Sequence, residues 1–246
     1  TKKILIMSNY FFFIGVPYAA IVIMLVGTIF RYTNFGFKVS SLSSQFLESR
    51  ELFYGSRPFH WGIIFLFFGH LVAFLFPRSV VLWNSVVVRL LILEIVAFGF
   101  GIATLFGLGM LIIRRLKHRR LLMVTTKMDA FVYVILLTQV ISGLWVAYFA
   151  RWGSAWFPTV LTPYLKSLFV LDPDIIAVAA LPLSIKIHIV SAFVLIGMIP
   201  FTRFMHFLVY PFSYFFRPYQ YVIWNWDRKK IRTSRKLVNG VRSKNN

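Results

Sequence analysis

The sequence predicts an all-α integral membrane protein with five transmembrane helices in one bundle, its N-terminus outside and its C-terminus in the cytoplasm. The first observation is composition: 59% of the 246 residues are hydrophobic and 14% are charged. With a mean hydropathy of +0.77, the chain has too little polar surface for an ordinary soluble domain. The second observation is five apolar runs that can each cross a bilayer core, because about 20 helical residues span roughly 30 Å. The runs are 10–30, 58–77, 90–113, 128–150 and 182–210.

Charge distribution is the third observation, and it predicts the orientation. The chain carries 27 Lys and Arg against 7 Asp and Glu, a formal charge of +20. Twenty of these cations lie in the first and third connections and in the segment from Arg203 onward, and the other seven lie on the opposite side. The positive-inside rule places the richer side in the cytoplasm. We therefore expect a multi-pass protein of the cell membrane, organised as one domain over 1–246 with a basic cytoplasmic tail at about 211–246.

Composition also excludes several classes of protein. A charge of +20 can indicate nucleic-acid binding, but that function needs a soluble basic domain, whereas these cations lie between apolar runs and in the tail. We expect no nucleic-acid partner. The absence of cysteine excludes a disulfide, a thiolate zinc site, a cysteine-ligated iron–sulfur cluster and covalent haem attachment on this chain. The basic tail can bind either anionic lipid or an acidic partner subunit.

The first two runs begin and end in different ways. Lys2 and Lys3 give the first run a likeness to a signal peptide, but its apolar part exceeds the roughly 7–15 residues of such a peptide and no small-x-small cleavage site follows. The sequence thus predicts an uncleaved first helix. The second helix begins near Pro58, after a polar connection over 31–57, and Pro77 closes it.

The last three runs are marked by glycine, by aromatic residues and by proline. Small residues in the third run let neighbouring backbones or a flat macrocycle approach closely. The connection 151–181 is rich in Trp and Tyr, which suits the headgroup level, and it is expected to hold one short amphipathic turn. Pro200 is expected to kink the fifth helix. The glycines of the third run are Gly99, Gly101, Gly107 and Gly109.

Four histidines lie in two of the apolar runs. The second run carries His60 and His70, and the fifth carries His188 and His206. A histidine in a membrane segment is costly and by default marks a functional site. Because these two helices run antiparallel, His60 can meet His206 at the cytoplasmic end and His70 can meet His188 at the outer end. Each pair can supply both axial imidazoles to one haem, which predicts a membrane cytochrome of the b type with two haems.

The spacing of the histidines tests this prediction. On straight helices His60 and His70 lie roughly 15 Å apart, whereas His188 and His206 lie roughly 27 Å apart. We expect helix tilt and the kink at Pro200 to absorb the difference.

Other interpretations of the histidines stay open. A single membrane histidine can be a buried imidazole bonded to a backbone carbonyl. A transporter or metal-handling protein also uses histidine ligands, but it needs acidic or polar residues that converge at mid-membrane, where the sequence offers Glu94. The fifth histidine, His118, lies in the basic turn 114–120 and is not expected to be a ligand.

A set of motifs in order resembles the gamma subunit of respiratory nitrate reductase, a di-haem cytochrome b. The resemblance extends over most of the chain. The motifs are RY at 31–32, SSQ at 43–45, FH and GH within 59–70, TT at 125–126, Gln139 followed by SGL, and IH, PFTRFMH and YFFRPYQ within 187–220.

The resemblance implies a function in electron transfer. A subunit of this family anchors a membrane oxidoreductase and carries electrons from quinol at the outer face to a cytoplasmic iron–sulfur beta subunit, and from there to a molybdenum alpha subunit that acts on nitrate. It implies two haem b groups, ligated by His60 with His206 and by His70 with His188. The reaction of this chain is then quinol oxidation, and the terminal substrate chemistry lies on other subunits. The alternative is a cytochrome b subunit of another quinone-linked complex, whether nitrite-oxidising, heterodisulfide-linked or sulfite-linked.

The sequence also indicates where the partners bind. The segments 39–57 and 212–230 interleave aromatic and basic side chains, as interface cores do, so we expect them to bind the iron–sulfur subunit. We place the quinol site beside His70 at the outer face. The family has a lysine associated with quinol binding at the start of the third helix; this sequence has no lysine there, and Arg89 is the nearest basic residue. Glu94, roughly 7 Å deeper by helical rise, offers a path for the proton. The expected quinol-binding residues are Gly69, His70, Arg89 and Glu94.

Overall fold

The structure, a computed structural model of the chain, describes residues 7–35, 47–48 and 50–208. The basic tail, the SSQ motif at 43–45 and the 212–230 segment lie outside the described residues. The described part of the chain is helical, with turns between the helices and no strand. Five of its helices are long and apolar enough to cross a membrane, which confirms the predicted number.

The described residues form five long and five short α-helices, and residues 205–208 are also helical. The long helices are α1 (Met7–Phe35), α2 (Arg50–Leu75), α4 (Val87–Lys117), α6 (Lys127–Phe149) and α10 (Leu183–Met198). The short helices are α3 (Pro77–Trp83), α5 (Arg119–Met123), α7 (Gly153–Trp156), α8 (Thr162–Phe169) and α9 (Ile176–Ala179).

Helix α2 begins eight residues before the predicted start, so Pro58 lies in its interior. The Glu48 carboxylate explains the early start, because it accepts hydrogen bonds from the backbone N–H groups of Glu51 at 2.7 Å and Leu52 at 3.1 Å. These are donors that the first turn of a helix leaves unpaired. The sequence prediction missed this cap because the segment before Pro58 is polar.

Pro77 does not simply close α2. The helix ends at Leu75, and Phe76 has the non-helical angles φ −122° and ψ 55°. Proline causes this, because it disfavours the helical conformation for the residue before it. Pro77 then occupies the first turn of α3, where its missing N–H has no cost. The proline therefore separates two helices.

The connection 151–181 is more structured than the single turn that the sequence predicts. It contains α7, α8 and α9, with a π-helical turn at Phe157–Leu161 between the first two. Tyr164 of α8 is 2% exposed, and its hydroxyl donates to the Phe13 carbonyl at 2.8 Å. Burial raises the pKa of the Tyr164 phenol, so the hydroxyl remains a donor. This connection therefore packs into the bundle.

Helix packing follows a chain of neighbours. Helix α2 packs on α4, α4 on α6, α6 on α10, and α10 on α1. The two histidine-bearing helices, α2 and α10, are not among the main contacting pairs of the described residues. Their relative position is therefore determined by α4 and α6, and the space between them is not filled by close helix packing.

Two of the four glycines of α4 permit close approach of helices. A Cβ at Gly107 would lie 2.6 Å from the Gly55 carbonyl oxygen and would also strike the Phe59 backbone, both on α2, and a Cβ at Gly101 would lie 2.7 Å from the Leu144 side chain. The other two glycines, Gly99 and Gly109, face open space. The α2–α4 contact thus requires glycine at 107.

The outer surface of the bundle is apolar. Large side chains such as Ile95, Phe106 and Val134 are 68%, 58% and 58% exposed. Exposed apolar surface of this extent on helices long enough to span a bilayer is the surface that lipid tails cover.

We predict that Gly107→Ala destabilises the protein by about 1–3 kcal/mol, the usual cost of overpacking, because the new methyl group meets α2 backbone that no rotamer change can move. Thermal unfolding in detergent measures the effect. Gly109→Ala is the matched control on the same helix and should unfold at or slightly above the parent temperature, since alanine favours helix over glycine. Equal unfolding temperatures for the two variants would contradict this account of the α2–α4 contact.

Candidate haem sites

The bundle has two chemically different ends. We call the end where α1 and α4 finish and α2 and α6 begin the arginine end, because Arg31, Arg114, Arg115 and Arg203 lie there. We call the opposite end, where α4 begins and α6 finishes, the tryptophan end, after Trp83, Trp152 and Trp156.

The structure brings His60 and His206 together at the arginine end, with ring centroids 6.4 Å apart and ring planes at 73°. His60 Nδ1 donates to the Ser56 carbonyl at 2.7 Å, and His206 Nδ1 donates to the Arg203 carbonyl at 2.6 Å. Because a carbonyl can only accept, each ring carries its proton on Nδ1. Nε2 of each ring therefore has a free lone pair. The exposed His60 lines a surface cleft with Ser56, Arg57, Trp61 and Ile64.

His70 and His188 meet at the tryptophan end, again with ring centroids 6.4 Å apart, and with ring planes at 42°. His70 Nδ1 donates to the Leu66 carbonyl at 2.7 Å. His188 Nδ1 lies 3.1 Å from both the Gln139 carbonyl and the Ser142 hydroxyl. The same tautomer is thus favoured in this second pair.

The chain resolves the spacing mismatch by ending α10. Helix α10 finishes at Met198, a 3₁₀ turn, Ile199–Phe201, follows, and residues 205–208 are helical again. The predicted helix over 182–210 is therefore interrupted around Pro200 and not merely kinked there. His188 and Met198 are ten residues apart, the same spacing as His60 and His70. Pro200 has no N–H to continue the helix, and the turn at 199–204 separates α10 from the helical residues 205–208, which carry His206.

The two pairs fit a haem iron in two respects. If one iron binds both Nε2 atoms in line at about 2.0 Å, and each centroid lies about 1.1 Å beyond its nitrogen, the centroids are roughly 6.2 Å apart, close to the 6.4 Å of both pairs. Hydrogen bonds from Nδ1 to carbonyls are also the usual means of orienting a ligating imidazole. A bare metal ion needs more protein ligands than the two imidazoles of one pair, and no group of three or more His, Asp or Glu side chains converges among the described residues.

Four polar or small residues around His188 had no predicted role. The Gln139 side-chain amide lies 3.3 Å from His188 Nε2, and its oxygen accepts from the Ser191 hydroxyl. A Cβ at Gly143 would lie 2.9 Å from Cε1 of His188, so glycine makes room for the ring. The sequence signal was present, because Gln139 and the SGL that follows it are one of the motifs above.

Ion pairs stabilise the arginine end. Arg114, 2% exposed, donates through Nε to the Glu48 carboxylate at 2.6 Å. Asp129 accepts from Arg203 at 3.0 Å and lies 3.4 Å from Arg115. Neither acid was singled out from the sequence. For Asp129 a signal existed, since Thr126 and Asp129 have the spacing of a capping box, which the structure forms.

His118 lies outside both histidine pairs. It is half-buried, and its Nε2 lies 3.0 Å from Glu51, which also accepts from Lys117 at 2.7 Å. The structure therefore places it in an ion-pair cluster at the start of α2.

The residues expected to bind quinol lie at the tryptophan end, but they do not form one cluster. Gly69 and His70 are exposed on α2. Arg89 lies over the Trp83 ring, 5.3 Å from its centroid. Glu94 accepts hydrogen bonds from the Ser154 N–H at 2.8 Å and hydroxyl at 2.6 Å, so this acid holds α7 against α4.

The connection also reaches His70. The Phe157 ring packs edge-on against it, with centroids 5.4 Å apart. Phe157 follows Ser154 by three residues, so the bond from Ser154 to Glu94 helps to hold Phe157 in place. The connection 151–181 therefore lines one side of the candidate site at the tryptophan end.

Glu48 makes a testable contribution to stability. Burial alone would raise the pKa of Glu48, but hydrogen bonds from Arg114 and from the N–H groups of Glu51 and Leu52 outweigh it and lower the pKa from 4.5 to about 2. Because the folded pKa is depressed, the stabilisation is fully present above pH 4.5 and is lost as the pH falls through about 2.

We expect Glu48→Gln to lower the unfolding temperature at pH 7, since breaking a buried pair costs about 3–5 kcal/mol. The difference from the parent should shrink as the pH falls below 4.5. Thermal unfolding across this range measures it, with Asp172→Asn, at an exposed aspartate, as the control. A difference that stays constant down to pH 2 would refute the assignment.

Comparison with known proteins shows what the chain is similar to. Residues 9–225 match the family described as nitrate reductase gamma subunit. The chain is 32% identical to the nitrate reductase gamma chain of Bacillus subtilis over 209 residues, which cover 82% of this chain and 92% of that one. It is 30% identical to the respiratory nitrate reductase 2 gamma chain of Escherichia coli over 224 residues, which cover 87% of this chain and 96% of that one.

One similar protein is much longer. The nitrate reductase-like protein NarX of Mycobacterium tuberculosis is 32% identical over 224 residues, which cover 87% of this chain. The match spans only 33% of NarX.

Proposed function

Because the chain belongs to the nitrate reductase gamma subunit family, we propose that it is the membrane cytochrome b subunit of a nitrate reductase, with two haem b groups and quinol as its electron donor. The observation that carries this proposal is the pair of facing imidazoles at each end of one bundle, with centroids 6.4 Å apart in both. His60 with His206 would hold one haem, and His70 with His188 would hold the other.

The orientation follows from the charge distribution. The arginine end faces the cytoplasm, as the positive-inside rule requires, so the N-terminus lies outside and the C-terminus inside the cell membrane. The cytoplasmic iron–sulfur subunit then binds at the arginine end, with the 39–57 and 212–230 segments as its docking surfaces, and a molybdenum subunit acts on nitrate beyond it. Within one domain over 1–246, the basic tail binds this partner or anionic lipid.

The chain's own residues prepare the electron path. When bound, the two haems supply one-electron carriers that connect quinol to the iron–sulfur subunit. The carbonyls of Ser56, Leu66 and Arg203 hold the Nδ1 protons of three imidazoles, and the Gln139 carbonyl holds that of the fourth. This arrangement increases the basicity of the ligating nitrogens and limits ring rotation.

Quinol oxidation needs an electron acceptor, a hydrogen-bond partner for the quinol oxygen and a route for protons to water. We place this site at the tryptophan end, beside Gly69 and His70. The exposed Arg89 is a fixed cation that can donate to a quinone oxygen but cannot accept a proton. Glu94 can accept one, although its bond with Ser154 means that it also holds the connection in place.

The haem assignment predicts the cofactor content of histidine variants. His206→Ala and His188→Ala should each lower the haem content from two to about one per chain, because a single imidazole holds b-type haem weakly. Pyridine haemochrome analysis of the purified chain measures the content.

The matched control is His118→Ala, which changes the histidine that lies outside both pairs and should retain two haems. Fewer than two haems in the parent would disprove the proposed function, and loss of haem in the His118 variant would disprove the ligand assignment.

The quinol site predicts different results for two changes at Glu94. Glu94→Gln keeps an oxygen that can accept from Ser154 but cannot take a proton, so it should retain both haems and slow haem reduction by quinol. Glu94→Ala should slow reduction and also disturb the connection that carries Phe157. Stopped-flow reduction at limiting and saturating quinol measures both effects.

Arg89→Gln should likewise slow reduction, with Arg78→Gln, at an exposed arginine on α3, as its control. Parent rates for Glu94→Gln and Arg89→Gln at both quinol concentrations would place the site elsewhere.

A further inference from the structure

His206 is held differently from the other three paired histidines. Those three lie within the long helices α2 and α10, whereas His206 follows the turn at Ile199–Phe201. Thr202, directly after that turn, has extended backbone with φ −120° and ψ −179°. The helical residues 205–208, which carry His206, are separated from α10 by the turn at 199–204. Helix α10 alone therefore does not fix the position of this ring, and restraint from elsewhere is needed.

Arg31 of α1 supplies the first restraint. Its Nη1 donates to the Pro200 carbonyl at 2.5 Å and to the Thr202 carbonyl at 3.2 Å. These are carbonyls that a helix end leaves unpaired, and a guanidinium is a strong partner for them. Gly27, one turn earlier on α1, allows the approach, since a Cβ there would lie 2.8 Å from Pro200 Cγ. Helix α1 therefore binds this turn through one cation and one glycine.

Asp129 of α6 supplies the second restraint. Its two carboxylate oxygens accept from Arg203, Nε to Oδ1 at 3.0 Å and Nη2 to Oδ2 at 3.2 Å. The Thr126 backbone N–H donates to Oδ2 at 3.0 Å, and Arg115 lies on the same oxygen at 3.4 Å. A bidentate pair with its carboxylate fixed at a helix N-terminus has one preferred geometry. The Arg203 backbone is thereby fixed relative to α6.

The Arg203 carbonyl passes this restraint to the ligand, because it accepts the His206 Nδ1 proton at 2.6 Å. We propose that Arg31, Asp129 and Arg203 are positioning residues that set the place and ring rotation of His206, and so determine the properties of the haem at the arginine end alone. This inference rests on the proposed function. It goes beyond that function because it assigns these three residues to one of the two sites.

We expect changes at these three residues to affect only one of the two haems, because the site at the tryptophan end is built from different residues. The His188 ring, which projects from α10, lies against the middle of α6. There its Nδ1 is within hydrogen-bond distance of the Gln139 carbonyl and the Ser142 hydroxyl, both of which are neutral, and Gly143 leaves room for the ring. The hydrogen bonds of the Gln139, Ser142 and Ser191 side chains run to His188, to one another and to carbonyls of the same two helices. A change at the arginine end should therefore leave the tryptophan-end haem unaltered.

The test uses Asp129→Asn and Arg203→Lys in the full chain, each with the haem content, the low-spin EPR signals and a redox titration as readouts. Asparagine keeps an oxygen for the Thr126 N–H but removes the charge, and lysine keeps the charge but loses the planar fork. The single-haem variants His188→Ala and His206→Ala assign each EPR signal and potential to its site.

We expect both variants to change the arginine-end haem alone, either as a drop from two haems to about one per chain or as a shifted EPR signal. If the haem is retained in Asp129→Asn, its midpoint potential should rise, because removal of a negative charge favours the reduced iron. Gly143→Ala is the matched control for the other site. Its methyl group would displace the His188 ring and should alter the tryptophan-end haem alone.

Unaltered signals and potentials in both Asp129→Asn and Arg203→Lys would overturn the inference, as would equal changes at the two haems. A parent chain that binds no haem would disprove the proposed function instead. In that case NMR of isotope-labelled histidine tests the inference directly. Its expected result is loss of the His206 Nδ1–H resonance in the two variants, and a persistent resonance would refute it.

Discussion

The structure depends on one constraint, which is that α2 must stand at such a distance from α10 and from the segment after it that the imidazoles of each histidine pair face each other. The two pairs meet this condition with the same centroid separation of 6.4 Å. The separation is set indirectly, because α2 packs on α4, α4 on α6 and α6 on α10. The close α2–α4 contact at Gly107 therefore matters for both sites.

The two ends of the bundle hold their histidine pairs with different chemistry. At the arginine end, buried cations and the acids Glu48 and Asp129 surround the histidine pair, and Arg203, which pairs with Asp129, accepts the His206 Nδ1 proton through its carbonyl. At the tryptophan end, neutral hydrogen bonds around His188 and an aromatic edge from Phe157 hold the pair. Charge is stable at the end of a bundle that faces water and anionic headgroups, whereas it is costly deeper in the membrane.

The connection between α6 and α10 packs into the bundle and also contacts one of the paired histidines. Its short helices pack against α1 through Tyr164 and Phe13, and Glu94 and Asn84 bind its Ser154. The same segment carries Phe157 to His70. An acid in a membrane helix is by default a functional candidate, and here that acid also has a structural partner. The proposed role of Glu94 as a proton acceptor and its observed bond with Ser154 are separable, because only the first requires a proton to move.

The sequence by itself determined the class of the protein, the number of its long helices and which histidines face each other. These follow from run length, from the cost of a membrane histidine and from alternation of helix direction, all of which are local or topological properties. It also contained the motifs of the family, which residues 9–225 match.

Only the tertiary structure decided how His206 reaches its partner. The sequence predicted a kinked helix through Pro200, but α10 ends at Met198, and the position of the turn depends on Arg31 and Asp129, which are 169 and 71 residues away from Pro200 in sequence. Helix starts depended likewise on a distant partner, since Glu48 both caps α2 and pairs with Arg114. Spacing along one helix cannot show such contacts, because they arise between side chains that only packing brings together.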